Sequence, residues 1–393
     1  MSPTICILPW THLYVEPSGK VLPCCAAFEK ISVGDSKTHS LKDIFNNSNM
    51  KRIRRMMLDG EKPKECSTCY LKEKNYNQSP RIYNNNFFKD KTHLWNQTKN
   101  SGEINSKIIY WDIRFSNICN FTCRSCGPKL SSSWYEEYKT LTGSYPNHKK
   151  IMKAGRFDND LLQQFEENIE YVEKIYFAGG EPLLMDEHKK ILELLDKHQK
   201  YNVNIIYNTN LSQLKYKGFD FTNIWKKINK ISISASLDAY GDRAEHLRKG
   251  TVWTEIEKNI QEIKKHDNIK FSVQYTLGIY NSFHLIDFIN YFVYKRYVCF
   301  DDITINCVFF PHWLTIKILP KHIKEKLIKL YKNYIEDKKS FLNLCKEFEK
   351  LITLLEQNID LNKVDSFLEY TEKYDKTRNE NTFEIFPELK SIL

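Results

Sequence analysis

The sequence predicts an α/β protein centred on an open, partial (β/α)6 TIM-like barrel. From residue 107 onwards, runs rich in β-branched and aromatic residues alternate with stretches of helical periodicity, a pattern typical of parallel βαβ units. Six strands are predicted, fewer than the eight that close such a barrel, so we expect it to stay open. The strands are contained in "IIYWDIRFS", "KIYFAGG", "NVNIIYNTN", "KISISASLDA", "IKFSVQYTLG" and "DDITINCVF".

Changes in composition divide the 393 residues into four segments. Residues 1–78 hold a small cysteine-rich module, with a hairpin around "EPSG" and the helical stretch "LKDIFNNSNMKRIRRMML". The polar, Asn-rich residues 79–106 predict a linker. Residues 107–316 form the barrel, and the Lys- and Leu-rich residues 317–393 form a C-terminal helical region.

Charge and hydropathy restrict the location and partners of the protein. The formal charge of +10 comes from lysines scattered along helices, which favours a solvated basic surface over a nucleic-acid patch. No secretory signal and no run of the ~18 apolar residues that a membrane helix needs is visible. We therefore expect a cytoplasmic protein without a membrane partner, in which eleven reduced cysteines serve metal binding or catalysis rather than disulfides.

Three cysteines directly follow the first barrel strand, where loops carry the chemistry of such folds. Cys119, Cys123 and Cys126 have C-x3-C-x2-C spacing, which lets a short loop wrap three thiolates around one compact object. An iron–sulfur cubane fits because each thiolate ligates one iron. The alternative is a zinc site with a distant fourth ligand.

Polar groups also follow the later barrel strands. The glycine pair and carboxylate of "GGEP" suit an ammonium group, although for this motif taken alone a plain strand-to-helix turn is the better explanation. An amide after the third strand offers hydrogen bonds or a helix cap. Hydroxyl and carboxylate groups after the fourth strand suit a ribose, and an arginine ten residues later suits a carboxylate. These residues are Gly179, Gly180, Glu181, Asn210, Ser234, Ser236, Asp238 and Arg248.

Together these motifs resemble the radical S-adenosylmethionine superfamily over roughly residues 107–310. The resemblance implies a [4Fe–4S] cluster on the three loop cysteines, with the amino and carboxylate groups of S-adenosylmethionine on the fourth iron. It further implies reductive cleavage to a 5′-deoxyadenosyl radical that abstracts hydrogen from a substrate. The residue before the third cysteine is usually aromatic in that family, whereas here it is Ser125, so adenine packing is in doubt.

The N-terminal cysteines resemble an auxiliary-cluster module of the SPASM/twitch type, which usually follows the barrel but here precedes it. The resemblance implies a second [4Fe–4S] cluster, for which Cys25 is an alternative ligand to Cys24, and a structural zinc knot is the competing interpretation. The candidate ligands are Cys6, Cys24, Cys66 and Cys69. The isolated cysteines are expected to be core thiols: Cys299, Cys307 and Cys345.

The predicted function is radical chemistry on a substrate C–H bond, with an external electron donor of the flavodoxin or ferredoxin type. A ribosomally made peptide is the first expectation for the substrate, because SPASM/twitch relatives often modify peptides. A small metabolite such as a nucleoside or sugar is the alternative. A non-catalytic zinc- or cluster-binding protein that holds nucleic acid is the rival from another class.

Overall fold

A computed structural model describes residues 4–28, 31–76, 79–357 and 364–392. Residues 1–3, 29–30 and 77–78 of the predicted N-terminal module lie outside the described residues, as do residues 358–363 and 393 of the predicted C-terminal helical region. The chain forms two compact units: residues 1–117, 151–207 and 223–231 make the first, and residues 118–150, 208–222 and 232–393 make the second. Among the described helices, none is long and apolar enough to cross a membrane.

The strands follow closely the stretches that the sequence indicates. In chain order they are β1 (His12–Val15), β2 (Lys20–Leu22), β3 (Gly34–Asp35), β4 (Tyr110–Ile113), β5 (Thr122–Cys123), β6 (Lys174–Phe177), β7 (Asn204–Thr209), β8 (Lys215–Tyr216), β9 (Phe219–Asp220), β10 (Lys230–Ser236), β11 (Arg248–Lys249), β12 (Ile269–Leu277) and β13 (Ile303–Cys307).

Helices separate most of these strands and also form the end of the chain. They are α1 (Leu8–Thr11), α2 (Leu41–Phe45), α3 (Ser48–Leu58), α4 (Ser67–Tyr76), α5 (Pro80–Phe87), α6 (His93–Asn96), α7 (Trp134–Thr142), α8 (Asp160–Glu166), α9 (Asp186–Lys197), α10 (Phe221–Trp225), α11 (Gly241–Leu247), α12 (Trp253–Ile263), α13 (Leu285–Tyr294), α14 (Lys321–Asp337), α15 (Leu342–Leu355), α16 (Val364–Arg378) and α17 (Thr382–Ile385).

The principal sheet has the strand order β13-β12-β10-β7-β6-β4-β1-β2-β3. All six strands predicted for the barrel are neighbours in chain order within it, and β4, β6 and β7 run parallel, as do β12 and β13. This confirms the predicted α/β class with a mostly parallel sheet, and the order is compatible with a partial barrel. The division between the two units falls within β7 and β10.

The N-terminal hairpin is part of this sheet in the first unit. Strand β1 pairs in parallel with β4, with His12 opposite Tyr110, and antiparallel with β2. The turn between β1 and β2 is closed by the amide of Gly19, which donates to the carbonyl of Glu16 (2.9 Å). The cysteine-rich module is therefore joined to the barrel strands by backbone hydrogen bonds, which the sequence pattern does not reveal.

Residues 79–106 are largely helical, although their composition predicts a linker. Ser79 caps α5 by accepting from the amide of Ile82 (3.1 Å), and Pro80 occupies the first turn, where its missing N–H costs nothing. The buried Asn85 side chain binds the amide of Ile7 and the carbonyl of Ile5. The Asn-rich composition thus supplies buried hydrogen bonds, while the role of this segment as a domain boundary stays a prediction.

In the second unit, β12 alternates between buried residues and residues that are half-buried or, at Lys270, exposed, so its two faces differ. The buried face carries apolar side chains such as Val273 and Leu277. The other face carries hydrogen-bonding groups, and Gln274 Oε1 there accepts a hydrogen bond from the side-chain Nδ2 of Asn306 on β13 (2.6 Å). Strand β10 has the same alternation, with serines on its half-buried face.

Candidate functional site

The cysteine loop between β4 and α7 is held in a defined shape by backbone and side-chain hydrogen bonds. Cys123 lies on β5, which pairs antiparallel with β11, so that Cys123 is opposite Arg248. The indole of Trp134 donates to the carbonyl of Cys123 (3.2 Å), and the hydroxyl of Ser133 donates to the carbonyl of Cys119 (2.7 Å). The loop is thus fixed at two of its three cysteines by the start of α7.

Nitrogen donors approach the sulfurs of this loop. The amide of Phe121 and the side chain of Asn210 lie 3.5 and 3.9 Å from Cys119 Sγ, and a guanidinium nitrogen of Arg248 lies 3.8 Å from Cys123 Sγ. N–H groups and a cation directed at sulfur favour thiolate over thiol. Such hydrogen bonds are also one of the means by which proteins tune iron–sulfur clusters.

Burial opposes ionisation of these thiols as long as they have no metal. It raises the pKa of Cys126 to about 12, with the charge of Cys123 as the next cause. Burial also raises the pKa of Cys123, although the Arg248 cation lowers it. Buried thiols collected on one loop become stable thiolates when a metal group neutralises them, and this donor set fits such a group.

The structure pairs two predicted cofactor contacts with each other. Arg248 Nε donates to Asp238 Oδ2 (2.7 Å), and Asp238 Oδ1 accepts from the amide of Thr276 (2.8 Å). The hydroxyl of Ser234 lies 2.6 Å from that of Ser272 on the neighbouring strand, and Ser236 is half-buried on the same face. The predicted contacts of these residues with a ribose and a carboxylate stay predictions.

Asn210 has a local structural role beside the cysteine loop. Its Oδ1 accepts from the amide of Ser212 (2.9 Å), and its Nδ2 donates to Asn120 Oδ1 (2.9 Å). It thus stabilises the turn after β7 and connects it to the residue after Cys119. The sequence allowed either a helix cap or a ligand contact here; the side chain stabilises a turn rather than a helix cap, and the ligand contact stays a prediction.

The "GGEP" motif follows β6 in the first unit. Gly179 and Gly180 have φ angles of +78° and +54°, which favour glycine. A Cβ on Gly179 would stand 2.8 Å from the Cβ of Arg114, so the backbone passes directly over that side chain. Glu181 is buried and accepts from the amide of Leu183 (3.0 Å), which makes it the cap of a short 3-10 turn.

Four N-terminal cysteines form a second cluster within the first unit. Burial raises the pKa of Cys24 well above its usual value, and the neighbouring charges of Cys25, Cys6, Cys66 and Cys69 raise it further. Burial and the charge of Cys69 likewise raise the pKa of Cys6 to about 12. The structure therefore brings the four predicted auxiliary ligands together.

Cys25 has different surroundings from Cys24. It is exposed, and after burial, which is the main cause, its charge is one of the smaller causes that raise the pKa values of Tyr14, Tyr110 and Tyr176. These tyrosines border the buried ion pair of Arg114 with Asp112 (2.8 Å). Cys24 thus faces the cysteine cluster, and Cys25 faces the polar groups of β1, β4 and β6.

The isolated cysteines agree only partly with the expectation of core thiols. Cys345 is buried on α15, as predicted, but Cys307 is half-buried and Cys299 is exposed. Cys299 begins a short turn before β13 and does not contribute to an apolar core. The prediction is therefore wrong for Cys299, because an apolar neighbourhood in sequence does not require burial at a turn.

Sequence reasoning missed the charged residues that surround the cysteine loop. Arg124 lies between two of the loop cysteines, is 1% exposed, and pairs with Asp375 and Glu380 near the end of the chain. Arg378 on α16 donates to the carbonyl of Thr122 (2.7 Å). The sequence offered one local indication of this role, the position of Arg124 between two candidate ligands, because the partners of Arg124 are about 250 residues away.

Comparison with known families agrees with the resemblance. Residues 113–291 match the Radical SAM superfamily, and residues 6–70 match SPASM, an iron–sulfur cluster-binding domain. Residues 113–291 are therefore a Radical SAM domain and residues 6–70 a SPASM domain, which confirms the recognition made from the motifs. The first domain implies a [4Fe–4S] cluster with S-adenosylmethionine, and the second implies additional iron–sulfur clusters.

Individual relatives are distant. The chain is 25% identical over 185 residues to the GTP 3′,8-cyclase of Campylobacter lari (47% of this chain, 52% of the relative). It is 24% identical over 163 residues to that of Aliarcobacter butzleri (40% and 44%). The chain thus spans about half the length of the curated relatives it matches.

Similar solved structures include native anSMEcpe with bound AdoMet (18% identity, 60% of each chain, TM-score 0.40). Another is Streptococcus suis SuiB bound to S-adenosylmethionine (12% identity, 73% of this chain and 64% of that chain, TM-score 0.40).

Proposed function

We propose that the chain cleaves S-adenosylmethionine reductively and uses the 5′-deoxyadenosyl radical to abstract hydrogen from a ribosomally made peptide. The observation that carries this proposal is the C-x3-C-x2-C loop, with nitrogen donors directed at its sulfurs, inside a Radical SAM domain. Cys119, Cys123 and Cys126 hold the [4Fe–4S] cluster, which when bound supplies the electron for sulfonium cleavage.

The residues around the loop bind and orient the cofactor. Arg248 is fixed by Asp238, so its remaining N–H groups have a defined direction for a carboxylate. Ser234 and Ser236 present hydroxyls to a ribose from the half-buried face of β10. By the family resemblance, the amino group of the cofactor is held by Gly179, Gly180 and Glu181, with Asn210 contributing a hydrogen bond.

The second cluster is held by Cys6, Cys24, Cys66 and Cys69, which the structure places within mutual electrostatic reach. Four protein ligands leave no iron open for substrate, so this cluster conducts electrons. We assign Cys24 rather than Cys25 because Cys24 has the other three cysteines as electrostatic neighbours, whereas the Cys25 side chain is exposed. An external flavodoxin or ferredoxin supplies the electrons.

The polar face of the second unit supports a peptide substrate. Gln274, Thr276 and Asn306 are uncharged side chains that donate and accept, as a peptide backbone requires. Four cations near the cysteine loop already have carboxylate partners: Arg248 with Asp238, Arg124 with Asp375 and Glu380, Lys249 with Glu380, and Arg378 with Glu137. These four are therefore less suited to a triphosphate than unpaired cations would be.

A small metabolite, in particular a nucleotide, is the second candidate. It is supported by the sequence similarity to the two GTP 3′,8-cyclases, which covers 40–47% of this chain.

The chemistry is tested on anaerobically purified protein. We expect about eight irons per chain for two cubanes, and 5′-deoxyadenosine after reduction with S-adenosylmethionine. Cys123→Ala should abolish 5′-deoxyadenosine formation, whereas Cys69→Ala should retain some uncoupled cleavage. Stoichiometric zinc without 5′-deoxyadenosine would instead support the non-catalytic metal-binding class.

The substrate is tested by deuterium transfer into 5′-deoxyadenosine. The probes are deuterated forms of any short peptide encoded beside the gene and of GTP. Transfer from the peptide alone supports the proposal, and transfer from GTP alone replaces it with the nucleotide alternative.

A further inference from the structure

The C-terminal helix α16 and the residues that follow it contact the cysteine loop within the second unit. These residues lie outside the stretches that match the two families, which end at residues 70 and 291. Tyr374 packs edge-on against Trp134 (5.7 Å between ring centroids), and Trp134 donates to the carbonyl of Cys123. The end of the chain therefore supports the backbone of one predicted ligand.

Arg124 makes the central contact. It lies between Cys123 and Cys126, is 1% exposed, and its Nη2 donates to Asp375 Oδ1 (2.6 Å) and Glu380 Oε2 (2.8 Å). Its guanidinium carbon lies 5.4 Å from the ring centroids of both Tyr280 and Tyr374. A buried guanidinium with two carboxylates and two aromatic rings has little freedom, so the loop backbone is fixed at Arg124.

Two further contacts fix the start of the loop. Arg378 donates to the carbonyl of Thr122 (2.7 Å) and to Glu137. Glu380 accepts from Lys249 (2.8 Å), and Lys249 is opposite Thr122 in the β5–β11 pair. Arg378 and Glu380 thus hold both strands of the β5–β11 pair, of which β5 carries the predicted ligand Cys123.

The same residues balance the charge beside the loop. His246, Asp375 and Glu380 have ligand atoms within 4.8 Å of one another, an arrangement that resembles a metal site. Here the cation is supplied by the protein, because Arg124 and Lys249 bind these carboxylates. Removing the carboxylates would leave uncompensated positive charge beside the cluster loop.

We propose that the segment 374–382 is a positioning element for the cluster, acting through Arg124. It preorganises the cysteine loop and sets the local charge, and so controls how firmly the [4Fe–4S] cluster is held and at what potential it is reduced. The proposal rests on the assignment of Cys119, Cys123 and Cys126 as ligands. It goes beyond that assignment in giving the end of the chain a role at the cluster.

The test compares wild type with Asp375→Asn/Glu380→Gln in the full-length, iron-loaded protein. The matched control is Glu369→Gln, which removes a carboxylate on the same helix whose partner, Lys373, is solvent-exposed. The measurements are the rate of cluster loss to a chelator, the reduction potential from an EPR-monitored titration, and the thermal midpoint of the apo-protein.

We expect cluster loss about 10- to 100-fold faster in the double variant, the range typical for losing partners that orient metal ligands. Its reduction potential should be more positive, because the positive charge of Arg124 is no longer balanced. Arg124→Met should shift the potential in the opposite direction, since it leaves the two carboxylates unbalanced. The control should behave as wild type in all three measurements.

Several outcomes would overturn the proposal. Unchanged cluster loss and potential in the double variant would show that the segment does not act on the cluster. The double variant could instead show a lowered apo-protein midpoint with an unchanged potential, or it could fail to take up the cluster. If the reduction potential of Arg124→Met were also unchanged, the contact would serve only folding stability. If the assignment of the three loop cysteines as ligands is wrong, the wild-type protein itself will lack the loop cluster, so this failure can be told apart from a failure of the present proposal.

Discussion

The glycine that begins "GGEP" allows a quantitative test of the fold around Arg114. Gly179 has φ +78°, and a Cβ there would meet the Cβ and Cδ of Arg114 at 2.8 Å. Arg114 cannot move aside easily, because it is 6% exposed, ion-paired with Asp112 and 4.5 Å from the ring centroid of Tyr176. Gly179→Ala therefore adds a clash to an unfavourable backbone conformation.

Gly60 is a matched control in the same unit. Its φ is +82°, but a Cβ there would have no heavy atom within 4 Å. We expect Gly60→Ala to cost about 1–2 kcal/mol for the left-handed conformation. Gly179→Ala should cost about 1–3 kcal/mol more, the usual price of overpacking a filled interior.

The assay is the thermal unfolding of the apo-proteins followed by circular dichroism. For a chain of 393 residues, a difference of 1–3 kcal/mol corresponds to a midpoint for Gly179→Ala roughly 1–4 °C below that of Gly60→Ala. Equal midpoints for the two variants would refute the reasoning, because they would show that Arg114 does not fill the space beneath the glycine.

Three further predictions follow from buried groups. Cys24→Ser should lose the auxiliary cluster, measured as about four fewer irons per chain, whereas Cys25→Ser should keep it; the reverse result would exchange the ligand assignment. Burial lowers the pKa of Lys174 from 10.5 to about 8, so between these pH values the unfolded chain keeps the Lys174 proton and this group's contribution to the free energy of unfolding rises with pH. Buried cysteines with raised pKa values act in the opposite direction in both proteins. The change in the free energy of unfolding from pH 8 to pH 10 should therefore be more positive in wild type than in Lys174→Met; equal changes would contradict it. Asp238→Ala should cost about 3–5 kcal/mol because it leaves a buried guanidinium without its carboxylate, while Glu255→Gln at an exposed ion pair should cost less than about 1 kcal/mol, both from chemical denaturation.

The barrel strands could be predicted because their signal is local. Strands such as β10 and β12 alternate apolar and polar residues, and the helices between them carry one apolar face, so neither depends on distant contacts. The cysteine loop was predictable for the same reason, since its three ligands lie within eight residues.

Other features depend on contacts that composition does not encode. The Asn-rich residues 79–106 were expected to link domains, but Asn84 and Asn85 are buried hydrogen-bonding groups. Cys24 and Cys25 are adjacent in sequence, so the choice between them as a ligand depends on their surroundings in the fold, where Cys24 is half-buried and Cys25 is exposed. The partners of Arg124 are 251 and 256 positions away, too far for any pattern to connect them.

The parallel pairing of β1 with β4 has a consequence for the order of events during synthesis. The four predicted auxiliary ligands, which lie between residues 6 and 69, leave the ribosome before residue 110, which pairs with His12, has been added. A nascent chain of 70 residues therefore carries every auxiliary ligand but lacks the strand against which its hairpin rests. Pairing over nearly a hundred residues is slow compared with local structure. Loading of the auxiliary cluster should accordingly follow the appearance of β4, which places cofactor insertion late in the maturation of the chain.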